Sequence, residues 1–247
     1  EAVDKRFEQF NETFRAALHA SYLNAEFKVG TSKITFTENQ LHRIVLEYGE
    51  AIMHIQFIYN SYLKNTPWDI DFELDLSKPG KVLTPQEHYL IGNELQRNGI
   101  KLSSICLDPL KDSEAVNDNL QLHCEIADTF GYRLSFKNAD IAMNDTAAAM
   151  KYLKGKVHFK MNNILWMSAI ELVKALDADL FGKLCAACGC EATADAADRA
   201  LVLGYRKALN PKEESNVAAD MKAFLEAHHA EYAAAIKDNV AAKLKNI

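Results

Sequence analysis

No apolar run in this chain is long enough to cross a bilayer, which takes about 20 consecutive apolar residues. The opening stretch "EAVDKRFEQF" lacks the basic, then apolar, then small-residue order of a secretory signal. A surplus of positive charge is missing too: 28 Lys and Arg stand against 34 Asp and Glu, a net charge of −6. A protein that neutralises phosphates needs a basic face, so composition argues against a nucleic-acid partner. Cysteine is sparse and odd in number, five in 247 residues. That does not suggest a secreted disulfide framework, and reduced thiols in a cytoplasmic protein are the simpler expectation. The run "CAACGC" (185–190) has metal-like spacing, but no second ligand cluster follows it. A closed zinc site wants four ligands, so small residues ending a packed helix are expected there.

What remains is ordinary globular composition, 49% hydrophobic and 25% charged, enough for one large or two small domains. Val3, Phe7, Phe10, Phe14, Leu18 and Tyr22 fall on one stripe and predict an amphipathic helix. "EFKVGTSKITF" alternates on both sides of Gly30 and predicts a hairpin. Thr37 and Gln40 form a capping box. It opens a helix whose apolar positions are Leu41, Val45, Tyr48, Ile52, Ile55, Tyr59 and Tyr62, stopped by Asn65-Thr66-Pro67. From residue 68 the rhythm changes. "WDIDFELDL", "IKLSSICLD", "YRLSFK" and "KVHFKMN" are strand-like, and each is followed by a helical pattern. The helices are one opened by Thr84-Pro85-Gln86-Glu87 and closed at Gly99, one around "LQLHCEIADTFG", one ending near Gly155, and a long one, "ILWMSAIELVKALDADLFGKLCA". Alternating strands and helices predict βα units on a parallel sheet. A full eight-stranded barrel takes about 250 residues, but only four βα units are present, which suggests half a barrel. The expected organisation is residues 1–66 as helices and a small hairpin, 67–190 as four βα units of a partial TIM-barrel-like α/β fold, and 191–247 as a helical segment.

A parallel strand covered on both faces should be apolar throughout. These four are not. The first carries Asp71, Glu73 and Asp75 two residues apart; the second Ser104, Cys106 and Asp108. The third carries Arg133, Ser135 and Lys137, and the fourth His158, Lys160 and Asn162. Residues two apart share a face, so each strand offers one polar and one apolar side. If helices cover the apolar sides, the polar sides share an interior, with chemistry expected at the carboxyl ends of the strands. The other reading is an open sheet with a solvated polar face. Glu73 and His158 are the best pair, since a carboxylate and an imidazole can hold a divalent metal and a carboxylate can move a proton. His123 lies on a helix, where a lone histidine more often packs or caps, and His228-His229 reads as solvated surface.

The succession "FTENQLHRIVLEYGEAIMHIQFIYN", "DIDFELDLS", "ELQRNGIKLSSICLDP", "LHCEIADTFGYRLSF" and "VHFKMNNILWMSAIELVKALDADLFGKLC" resembles the carboxyl-terminal half of the tagaturonate epimerase family. The resemblance covers about residues 25 to 190. It implies a barrel-like α/β fold, a divalent metal cofactor, and epimerisation at carbon 4 of a keto-uronate in hexuronate catabolism, an isomerase reaction. Glu73 matches a family glutamate that handles a proton, and His158 matches a family histidine. On this reading Glu73 and Asp75 are the candidate catalytic carboxylates and Glu73 with His158 the metal ligands. Lys137, Arg133, Lys160 and Asp108 are the candidate sugar-acid-binding residues, Arg being the better bidentate partner of a carboxylate. The chain departs from the family at Lys137, where a histidine is expected, and an ammonium has no lone pair for a metal. The polar loop that follows is replaced by "NADIAMNDTAAAM", and the family's amino-terminal half, with an Asp-His pair in the same site, has no counterpart. Two expectations follow: an epimerase completed by a missing amino-terminal half or a homo-oligomer, or a diverged non-catalytic sugar-acid-binding or scaffold subunit.

Overall fold

Helices α1 (Ala2–Phe7) and α2 (Glu12–Tyr22) stand where the apolar stripe predicts one continuous helix. The computed structural model describes residues 2–75, 81, 83–108, 119–142, 151, 156–191, 193–195, 199–208 and 216–245. The break between α1 and α2 comes from Asn11, whose side chain accepts from the Phe14 backbone N–H at 2.8 Å and starts a second helix. The stripe is divided accordingly. Phe7, Leu18 and Tyr22 are buried, whereas Phe10 and Phe14 are 36% and 41% exposed.

Strands β1 (Phe27–Val29) and β2 (Ser32–Ile34) form the expected antiparallel hairpin. Gly30 turns it at φ 52°, and a Cβ there would lie 2.7 Å from the Glu125 side chain, so both conformation and space call for glycine. Helix α3 (Glu38–Ile58) begins at the Thr37–Gln40 capping box, both of whose hydrogen bonds are made. It buries Leu41, Val45, Tyr48, Ile52 and Ile55, then widens into a π-helical turn, Tyr59–Leu63, on which Tyr62 is exposed.

The central sheet contains β3 (Glu73–Asp75), β4 (Ser104–Leu107), β5 (Arg133–Phe136) and β6 (Val157–Phe159), in that linear order. β3, β4 and β5 are parallel. Helix α4 (Pro85–Arg97) connects β3 to β4 and α5 (Leu120–Phe130) connects β4 to β5. The Thr84–Glu87 capping box with Pro85 at the first position opens α4, and left-handed Gly131 ends α5. The pairing aligns Leu74, Ile105 and Leu134 in one row, and all three are buried. That row is the apolar face predicted for the sheet. β3 is shorter than "WDIDFELDL" suggests: Ile70 is half exposed, and of the three alternating apolar residues only Leu74 is buried.

The chain divides into two compact units, residues 1–137 with 148–158, and residues 138–147 with 159–247. The second holds α6 (Ala139–Ala142), α7 (Asn163–Leu176), α8 (Ala178–Cys188), α9 (Arg199–Ala208), α10 (Asn216–Ala227) and α11 (His229–Leu244). Its core is built from Ile170 and Val173 of α7, Leu184 of α8, and Leu201, Val202 and Tyr205 of α9. The long helix expected over 164–186 is interrupted at Asp177, whose carboxylate accepts from Leu180 N–H at 2.9 Å and caps α8. Cys185 and Cys188 end α8, Gly189 caps it in the left-handed region, and Cys188 packs on Gly204. Burial holds the Cys185 thiol above the ordinary range and pushes Cys188 up to about 11, as expected of packing residues. His229 is exposed, while His228 is only partly so and lies against the Phe224 ring at 4.5 Å. The helix expected to end near Gly155 lies outside the described residues. Among the described residues no helix is long and apolar enough to cross a membrane.

Candidate functional site

In a parallel sheet, paired residues share a face. The pairing aligns Glu73 with Ser104 and Ser104 with Arg133, and one step on aligns Asp75 with Cys106 and Cys106 with Ser135. These two rows flank the buried Leu74–Ile105–Leu134 row and point to the opposite side. The alternation in the sequence is therefore real in three dimensions. Glu73 accepts a hydrogen bond from Ser104 Oγ at 2.8 Å, and its same carboxylate oxygen lies 3.9 Å from His158 Nδ1. Glu73 is three-quarters buried while His158 is 58% exposed, so the imidazole is the partner open to solvent. The sheet thus brings together the two residues singled out as a pair, 85 positions apart in sequence.

Asp75, at the end of β3, is bound by the Lys137 ammonium, which sits just past β5. Partial burial pulls that ammonium down. The hydrogen bond and charge of Asp75, with Cys106 and Asp108 behind it, more than offset this and hold Lys137 above the ordinary lysine value. Asp108 follows β4 and acts on Lys137 through its charge. Arg133 is exposed at the start of β5, in the Glu73 row. Lys160 belongs to the second unit, where its carbonyl accepts from Ala139 N–H at 3.3 Å.

Two histidine clusters escaped the sequence reading. His88 and His123 are both buried and face each other through Nδ1 atoms 2.9 Å apart, and Tyr132 Oη lies 2.8 Å from His88 Nε2. His123 packs, as a lone helical histidine should, but its partner is another histidine. The second cluster joins His19, Glu38 and His42, whose donor atoms lie within 4.8 Å of one another. Among the described residues it is the one group of three or more His, Cys, Asp or Glu so placed. Glu38 and His42 are four apart on α3, a spacing that could have marked them, but His19 lies 23 positions before His42 on another helix.

Comparison with known proteins agrees with this order of elements. The tagaturonate epimerase family matches residues 1–237. A tagaturonate/fructuronate epimerase of Thermotoga maritima is 26% identical over 192 residues, 73% of this chain and 40% of that protein. A glycerol-complexed crystal structure of the fructuronate-tagaturonate epimerase of Cohnella laeviribosi superposes with a TM-score of 0.82 at 22% identity, over 99% of this chain and 59% of that one. The native crystal structure of the same enzyme gives 0.80 at the same identity and coverage. At this identity the likeness carries the fold. The chain spans about two-fifths to three-fifths of the length of the relatives it matches. With its sheet order, its helices and nearly its whole length matched by one family, the chain belongs to the tagaturonate epimerase family.

Proposed function

We propose that this chain forms the carboxylate-and-imidazole wall of an epimerase acting on a keto-uronate, of the tagaturonate-to-fructuronate type, in cytoplasmic hexuronate breakdown. The observation that carries the reading is Glu73, held by Ser104 at 2.8 Å and placed 3.9 Å from His158 on the polar side of a parallel sheet. Inverting one carbon of a keto acid by proton transfer needs a base that takes a proton from one side of the substrate and an acid that returns one to the other. Glu73 suits the role of the base because the Ser104 hydroxyl fixes its orientation on the polar side of the sheet. Asp75, matched by Lys137, is the second carboxylate. Lys137, Asp108 and Arg133 would bind the polar groups of the sugar acid. Glu73 and His158 fit a divalent cation as two of its ligands, one carboxylate oxygen and one ring nitrogen. Such a cation would polarise the substrate carbonyl and stabilise developing negative charge. Further ligands and the closure of a barrel would come from the rest of a longer protein or from a second copy.

The Lys137–Asp75 pair also favours a second reading. An ammonium standing where the family has a histidine, and already paired with a carboxylate, suits a sugar-acid-binding or scaffold subunit that has lost the chemistry. Tagaturonate turnover by the native full-length protein, compared with its Glu73→Gln variant, separates the two. A loss of about 10² to 10⁴-fold with binding retained is expected for a proton-transfer residue. Turnover equal in the two proteins would remove Glu73 from the chemistry, and no turnover in either would leave the binding-subunit reading.

A further inference from the structure

The first three helices meet at a cluster of ligand-type side chains that the sheet face does not use. His19 of α2 and His42 of α3 face each other through their Nε2 atoms at 2.9 Å. Glu38, one turn before His42, brings a carboxylate oxygen to 3.9 Å from that same His42 nitrogen. Asp4 of α1 accepts from His42 Nδ1 at 3.0 Å. A carboxylate can only accept, so Nδ1 carries a proton, and it is Nε2 of the neutral ring that would offer a lone pair to a cation between His42, His19 and Glu38. Phe7 fixes the plane of the ring: its own ring lies over His42 at 3.8 Å between centroids and 14° from parallel. His42 is only 5% exposed.

We propose that His19, His42 and Glu38 bind a divalent cation of the zinc class, with Asp4 orienting His42, and that the ion pins α1 and α2 to α3. Two imidazoles and a carboxylate form a donor set that suits zinc, cobalt or nickel better than magnesium or calcium, which prefer oxygen ligands. The Asp4–His42 bond is the second half of that design, because metal-binding histidines commonly donate their other ring N–H to a carboxylate. Spacing is compatible with it. Two nitrogens around a tetrahedral zinc at about 2.05 Å would sit about 3.3 Å apart, so His19 has to withdraw a few tenths of an ångström from its 2.9 Å contact. His19 is only partly buried and Glu38 is exposed, so both can adjust while His42 stays fixed. The cluster opens onto a pocket of about 390 Å³ lined also by Glu8 and Arg15. Three carboxylates (Asp4, Glu8 and Glu38) against one guanidinium favour a cation there, and the open side leaves a coordination position for water.

The ligands sit on helices, apart from Glu73 and His158 on the strands, so the two sites can be tested separately. The native full-length protein, stripped by a chelator, would be titrated with Zn²⁺ by calorimetry and with Co²⁺ by visible absorption. The Glu73→Gln/His158→Ala background isolates the helical site. One ion should remain bound in that background. His19→Gln should weaken it by about 100-fold and Glu38→Gln by about 10-fold, the range expected when ligands or their supports are lost. Zn²⁺ should raise the melting temperature of the background protein and not that of the same background carrying His19→Gln. His19 and Glu38 are chosen because neither is a core residue, whereas removing His42 from beneath Phe7 would disturb packing. No Zn²⁺ binding in the background protein, or equal affinity in that background with and without His19→Gln, would overturn the proposal and leave the cluster as a hydrogen-bonded Asp–His–His network.

Discussion

Acid should destabilise this protein through its buried histidine pair. His88 and His123 are 0% and 1% exposed, and burial is the main reason both resist protonation. His123 is pushed down to about 4 from an ordinary 6.5, and His88 is lowered well below its ordinary value by burial and then by the charge of His123. Both are therefore neutral in the fold, while the unfolded chain takes up protons near its ordinary value. A depressed folded value means that the stability is complete above about pH 6.5 and drains away as the pH falls towards about 4. For His123 alone the loss between about pH 7 and about pH 5 is about 2 kcal/mol. His88 adds a loss of the same sign. Against a typical total of roughly 5–15 kcal/mol this is a substantial share. Urea unfolding at the two pH values would measure it in the parent and in His123→Asn, which keeps an acceptor for the His88 ring. The variant should lose about 2 kcal/mol less than the parent on acidification, whatever its stability at neutral pH. Equal losses would refute the reasoning, as would a His123 imidazole resonance that titrates near its ordinary value in the folded protein.

Lys137→Ala should weaken keto-uronate binding about tenfold or more by calorimetry. Because the Lys137–Asp75 pair is about one-third exposed on each side, the substitution should change unfolding free energy by only about 0–1 kcal/mol. Gly92→Ala should destabilise by about 1–3 kcal/mol in denaturant unfolding, reversing the usual helix gain, because the new Cβ would lie 2.6 Å from Phe130 and 2.8 Å from Tyr132 Oη.

Local chemistry was the most legible part of the fold. The Thr37–Gln40 and Thr84–Glu87 boxes are made as read, because a capping box depends on residues three apart and on little else. The polar and apolar sides of β3, β4 and β5 were legible because alternate residues of a strand share a face, even though Ser104, Cys106 and Ser135 on the polar side are themselves buried. Helix breaks were not. Asn11 caps a new helix after the first has ended at Phe7, and Asp177 ends one helix and caps the next, without disturbing the apolar period, so the stripe runs straight through both. Phe10 and Phe14 illustrate the cost of reading a stripe alone: they share the spacing of Phe7 and Leu18, yet the break turns them towards solvent. The candidate site was legible as a set of strand faces. The distances were not, because Glu73 meets His158, and His19 meets His42, only after the elements between them have packed.

The four acids of "DIDFELD" can now be told apart by what neutralises each. Asp69 and Asp71 are exposed ahead of β3, where water and salt screen them. Asp75 is matched by a full ammonium, so the pair is close to neutral as a unit. Glu73 accepts from the Ser104 hydroxyl and stands 3.9 Å from the His158 imidazole. Covering the polar face, as the proposed barrel does, would act on the two strand carboxylates unequally. Desolvation raises the proton affinity of a carboxylate, and a tightly bound ammonium opposes that rise. Attraction between charges on that face would strengthen as water left, from about 1 kcal/mol at 4 Å in bulk water to about 4 kcal/mol at the effective dielectric of a protein surface. The same enclosure would therefore hold Asp75 and Lys137 more firmly as a charged pair, one row along the sheet from Glu73.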